Sequence, residues 1–104
     1  MSEKTINGQT VDVDAEGYLV DHTQWTEGIA GEIAGELDIA LTDDHWKVIN
    51  FLRKEYGDNG NIPTLRKIGK QSGVDMKGLY TLFPDGPVKK AARIAGLPKP
   101  KSCV

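Results

Sequence analysis

One thiol stands at the end of this chain. Cys103 is the only cysteine among the 104 residues and the next to last of them, in the run Leu97-Pro98-Lys99-Pro100-Lys101-Ser102-Cys103-Val104. A thiolate is a strong nucleophile and a sulfur acceptor. Pro98 and Pro100 forbid continued helix and favour extended backbone. Seven residues near polyproline geometry reach roughly 20 Å at about 3.1 Å each. The expectation is therefore a thiol on a semi-rigid arm clear of the body. The plainer alternative is a frayed terminus with an accidental cysteine, and composition alone favours it. Against it, an exposed thiol is a liability, and stiffening by proline is an entropic gain only where the arm must dock. Lys99 and Lys101 favour the thiolate, the Val104 carboxylate opposes it, and for exposed groups these effects largely offset. No base stands beside Cys103 in sequence. A carrier thiol that becomes reactive inside a partner fits better than a self-sufficient catalytic nucleophile.

Other chemistry finds little support. A single cysteine rules out an intramolecular disulfide, and no CxxC pair or close His/Cys spacing offers a metal site. His22 and His45 lie before and at the start of separate helices, so neither metal nor cofactor is expected; His45 is expected to contact its own first turn. Asp43-Asp44 reads as charge at a helix N-terminus. Trp25 and Trp46 fall on apolar faces and read as core. Residues 64–83 form a helix, a turn at Gly73 and a second helix from Asp75, which resembles a helix-turn-helix. Lys67, Lys70, Lys77, Lys89, Lys90 and Arg93 would surround it with positive charge. The segment Asp75–Phe83 has no Arg, Asn or Gln to read base edges. A DNA-binding regulator is thus kept as an alternative, a helical corner with solvated lysines is preferred, and direct nucleic-acid binding is not expected. The basic half could also dock an acidic partner or a tRNA-bound enzyme.

The elements that position the thiol can be read in order. Thr5–Val13 alternates around Asn7-Gly8, a strong hairpin signal, and Tyr18-Leu19-Val20 follows a second turn, giving a hairpin or meander over about 4–20. Asp21 or Thr23 can cap a first helix carrying Trp25, Ile29, Ala30, Ile33, Ala34 and Leu37. Its Gly28, Gly31 and Gly35 would let another backbone come close. Thr42 caps a second helix, the core column, which Gly57 is expected to end. A third helix runs from Pro63 or Thr64 to about Gln71, a fourth from its Asp75 cap through Leu79, and a fifth from Pro87 to before Gly96. One domain over 1–96, with helices from about 23, and a flexible arm over 97–104 is the expected organisation. Charge is split between the halves. Residues 1–45 hold one Lys and eleven Asp/Glu, for −10, whereas residues 46–104 hold twelve Lys/Arg and four Asp/Glu, for +8. No apolar run approaches the ~20 residues of a membrane span. Met1-Ser2-Glu3-Lys4 lacks a leader pattern, so the expected compartment is the cytoplasm.

Four segments together resemble the DsrC/TusE family: Gly17-Tyr18-Leu19; Leu41-Thr42-Asp43-Asp44-His45-Trp46 with Arg53 and Tyr56; Leu79–Pro87; and Ala95–Val104 with its GLPKP run and Cys-Val ending. The likeness covers nearly the whole chain, and the last segment is the most specific. It implies a mainly α fold: a small N-terminal β-hairpin on an orthogonal helical bundle, with a helix-turn-helix-like element and an extended C-terminal arm. It implies sulfur carriage on Cys103 as a persulfide, in a sulfurtransferase subunit or carrier rather than a stand-alone enzyme. The implied donor is a TusBCD- or DsrEFH-like complex and the implied acceptor a tRNA 2-thiouridylase acting on the wobble uridine. Family members with full DsrC function carry a second cysteine upstream on the arm; here that region reads Ala91-Ala92-Arg93. A single-thiol, TusE-like carrier is the expectation. A DsrC-like partner of dissimilatory sulfite reductase, or of a sulfur-oxidation complex, is the alternative within the family. Lys99, Lys101 and Arg93 are candidates, from charge alone, to steer the arm or stabilise the anionic persulfide.

Overall fold

The computed structural model describes residues 2–100. Strands β1 (Ser2–Ile6) and β2 (Gln9–Val13) pair antiparallel, Ser2 opposite Val13 and Ile6 opposite Gln9. Asn7 and Gly8 both take positive φ, 54° and 75°, as a two-residue hairpin turn needs. The expected third strand reduces to one bridge, Val13 with Leu19. The side chain of Asp14 takes the chain instead, accepting from the backbone N–H of Glu16 (2.9 Å) and of Tyr18 (3.0 Å).

The first helix begins later than the caps Asp21 or Thr23 suggest. Asp21 caps only a 3-10 turn, His22–Gln24, and Thr26 caps α1 (Glu27–Glu36). Trp25 lies between them in extended backbone and belongs to no helix. A Cβ at Gly28 would meet the terminal amide of the exposed Asn7 side chain at 2.1 Å where the hairpin turn crosses α1, so Asn7 would have to swing aside. Gly31 and Gly35 have open space beside them, so the close approach expected along the whole helix is confined to its first turn.

Helix α2 (Asp43–Asn59) passes through Gly57 and stops before Gly60, whose φ of 71° supplies the left-handed C-cap. A glycine inside a helix lowers propensity without ending it; the left-handed residue does that. α3 (Leu65–Gln71) and α4 (Met76–Leu82) start at the caps Thr64 and Asp75, each accepting a backbone N–H on its side-chain oxygen. They pack as the expected corner, with Gly69 against the backbone of Met76. α5 (Pro87–Ile94) has Pro87 in its first turn, where a missing N–H costs nothing. α5 packs on α1 and on α2. The core joins Ile29 and Ile33 of α1, Ile49 and Leu52 of α2, Val88 and Ala92 of α5, and Ile6, Val11 and Leu19 of the hairpin. Phe83, just beyond α4, is fully buried and meets His45 edge-on, ring centroids 5.0 Å apart.

Leu97 belongs to this core. It is fully buried, and Pro100 is buried as well. Within the arm expected over 97–104, Leu97 and Pro100 are thus buried against the body, while Lys99 is exposed. Apolar burial holds Leu97 there, at about 2 kcal/mol for a side chain of its size. The rest of the arm, Lys101–Val104, lies outside the described residues.

Candidate functional site at the base of the tail

The last turn of α5 ends in a Schellman motif. Leu97 N–H donates to Ala92 C=O at 3.0 Å and Gly96 N–H to Arg93 C=O at 3.2 Å, with Gly96 at φ 70°. Two side chains from elsewhere take the next carbonyls. Trp25 donates its indole N–H to Ile94 C=O at 2.8 Å, and Arg53 of α2 donates to Ala95 C=O at 2.7 Å. The other Arg53 nitrogen reaches His22 C=O at 3.2 Å, and its guanidinium lies 4.1 Å from the centroid of the Trp25 ring, in cation–π range. Burial lowers the Arg53 pKa from its ordinary value. Trp25 presses so closely on the turn that a Cβ at Gly96 would sit 2.2 Å from its Cδ1. His22 in turn packs edge-on against Tyr56, centroids 5.1 Å apart.

From Leu97 the tail runs over a groove of about 300 Å³ lined by Tyr56, Gly60, Asn61, Ile62, Pro63 and Thr64 on one side and Pro98, Lys99 and Pro100 on the other. The loop between α2 and α3 forms the first wall. Lys99 pairs with Glu16 at 2.8 Å, and that hydrogen bond, with the carboxylate charge, raises the Lys99 pKa. Arg93 lies across Gly17, whose Cβ would fall 2.9 Å from the guanidinium, and its Nε is buried without a hydrogen-bond partner among the described residues. Tyr18 is held above its ordinary pKa by burial first and by Glu16 second.

Two of the four residues singled out by sequence, Lys99 and Arg93, thus meet at the turn Asp14–Tyr18. Lys101 and Cys103 lie outside the described residues. The charge of Lys99 is engaged by Glu16, whereas sequence reading left it free for the sulfur. Trp25, Arg53 and the 60–64 loop were not singled out as site residues. The available signal was Arg53 itself, a charge four residues after Ile49 and three before Tyr56, on the inward stripe of α2. Trp25 is partly buried and packs against the core, as expected, and its indole N–H also holds the base of the tail. Among the described residues no group of three or more His, Cys, Asp or Glu side chains could hold a metal ion, and no helix is long and apolar enough to cross a membrane.

A family model described as DsrC like protein matches residues 5–104. The chain belongs to the DsrC-like family. The match includes Cys103. Among curated DsrC-like relatives, sulfurtransferase TusE of Pectobacterium atrosepticum is 43% identical over 105 residues, covering 93% of this chain and 95% of that one. Sulfurtransferase TusE of Yersinia pestis is 41% identical with the same coverage. Among solved structures, the NMR structure of Allochromatium vinosum DsrC superposes with a TM-score of 0.84 at 40% identity, over 99% of this chain and all of that one. A crystal structure described as dissimilatory sulfite reductase I (DsrI) gives 0.87 at 36% identity, with the same coverage. The mainly α fold with an N-terminal hairpin is thus the family's fold.

Proposed function

We propose that this protein is a sulfur carrier that accepts sulfane sulfur on Cys103 and passes it on, in a TusE-like relay. The observation that carries this reading is the likeness at 43% identity to a sulfurtransferase TusE, in a chain whose only thiol is Cys103. The chemistry is thiol exchange. The Cys103 thiolate attacks the outer sulfur of a donor cysteine persulfide. The donor S–S bond breaks, the donor leaves as a thiolate, and Cys103 holds the persulfide; no external oxidant or reductant enters. The next step repeats this with Cys103 as donor. The relay would take sulfur from a TusBCD- or DsrEFH-like complex, give it to a tRNA 2-thiouridylase, and act in the cytoplasm. One cysteine can hold one persulfide and cannot close an intramolecular trisulfide, which favours a relay over two-thiol DsrC chemistry. Lys101 remains a candidate to stabilise the anionic persulfide. Lys99 can do so only after leaving Glu16, and Arg93 faces the hairpin side.

The test is to incubate the protein with a persulfide donor and weigh it intact. A mass gain of one sulfur atom, absent in Cys103→Ser, is the expected result; no gain with any donor sinks the reading. The structural likeness to A. vinosum DsrC and to DsrI favours one second reading, a docking partner of a sulfite reductase or sulfur-oxidation complex. Pull-down with a thiouridylase separates the two, since a docking partner of that kind would not bind it.

A further inference from the structure

We propose that the corner formed by α3 and α4 is a docking surface for an acidic protein segment with an apolar face, centred on Met76 and Tyr80. The surface goes beyond the carrier reading and does not depend on it. Leu79 and, at the C-cap, Phe83 carry one side of α4 onto the core, and both are fully buried. Met76 and Tyr80 stand four residues apart and so are neighbours on the helix surface, yet they stay 42% and 49% exposed. Among the described residues only Val20 is a comparably exposed large apolar side chain. Such residues need no explanation when scattered singly, whereas two on one side of one helix make a patch. Tyrosine and methionine are enriched at protein interfaces, and charge is depleted from interface centres. The roll of α4 that leaves this pair outside is fixed from both sides. Asp75 accepts Gly78 N–H at 2.7 Å, and Gly69 of α3 packs so close that a Cβ there would lie 3.2 Å from the Met76 nitrogen.

Charge decides the partner. Arg66, Lys70 and Lys77 are exposed, and none makes an ion pair among the described residues, whereas Lys67 is taken by Glu55 of α2. Lys77 is next to Met76, and Lys70 is next to Gly69, where the two helices touch. Asp75 is the one carboxylate from Thr64 to Leu82, and it is engaged as a helix cap. An apolar centre beside free cations suits an acidic amphipathic segment, which the cations steer and the centre holds. Nucleic acid suits it less. A recognition helix reads bases with its N-terminal residues. There α4 carries the Asp75 carboxylate, which repels phosphate, and Met76, which offers no hydrogen-bond pair to a base edge.

The test is an amide-shift titration of the nitrogen-15-labelled full chain. The probes are two synthetic amphipathic helical peptides with one leucine pattern, one with Glu and one with Lys at the polar positions, together with polyglutamate and a mixed-sequence DNA duplex. The Glu–Leu peptide is expected to shift amides within residues 66–82 and leave those of the hairpin, 2–13, in place. Met76→Ser and Tyr80→Ala are each expected to weaken its binding about tenfold, and the double change Lys70→Gln with Lys77→Gln to flatten its salt dependence. No shift with this peptide, shifts centred elsewhere, folded variants that bind as the wild type does, or equal binding of polyglutamate or of the Lys peptide overturns the proposal. Tighter binding of the duplex overturns it in favour of a nucleic-acid face. If a variant loses the folded amide pattern, the wild-type map and the ranking of the four probes decide alone. The same map is expected in Cys103→Ser, so failure of Cys103 to load sulfur would overturn the carrier reading and leave this surface as it stands.

Discussion

His45 shows how one residue can join distant parts of the chain. It is the one polar or charged side chain buried among the described residues. Its Nδ1 accepts from Thr42 N–H at 3.0 Å and its Nε2 donates to Leu82 C=O at 2.9 Å, so its two partners select the neutral tautomer protonated at Nε2. His45→Leu strands the Leu82 carbonyl in an apolar setting and is expected to cost about 1–3 kcal/mol, read from urea unfolding. Gly96→Ala forces a Cβ against Trp25 at positive φ, with an expected loss of about 1–3 kcal/mol or more and a displaced Trp25 indole N–H resonance. The first-turn role of His45 was legible in sequence because Thr42 is three residues away. Its bond to Leu82 was not, since the two lie 37 positions apart. The same holds for Arg53 with Ala95 and Trp25 with Ile94, separated by 42 and 69 residues. Cys103 stood out because its signal is its own uniqueness.

At the scale of elements, helix starts with local caps were read correctly at Thr42 and Asp75, and Pro87 likewise. The misplacement of the first helix start at Asp21 or Thr23 has a physical cause. A capping side chain works equally well on a single 3-10 turn, and only packing decides which turn continues. The tail presents the same lesson, because its prolines do signal extended backbone while its burial depends on Leu97 finding the core. This element carries a pH dependence. Lys99 and Tyr18 both have raised folded pKa values, so the stability they contribute is fully present below their unfolded values of 10.5 and 10.0 and is lost as pH rises through the folded ones. The denaturant midpoint is expected to fall above pH 10, within the range those two values open. Glu16→Gln should remove the Lys99 share of that fall and make the Lys99 amide exchange faster, while leaving the core amides as they are.

For the whole molecule, one core cluster takes residues from the hairpin, all five helices and the tail. A domain of this size with one such cluster is expected to unfold in a single transition, coincident by far-UV circular dichroism and tryptophan fluorescence. Leu97→Ala should shift that transition by about 2–5 kcal/mol, since it empties a filled site at the meeting of all these parts. A disproportionate loss of the tail alone, with an unchanged midpoint, would show that Leu97 is not part of the cooperative unit. The opposed charges of the two halves also gain a location. Glu16, in the acidic half, pairs with Lys99, in the basic half, at the base of the thiol-bearing tail. As an exposed, solvent-screened pair it contributes little to stability and can be exchanged readily for a partner's charge.

The burial of Leu97 and Pro100 has an entropic consequence. Both already lie on the body, so a partner that engages this end of the chain meets no ordering cost for that stretch.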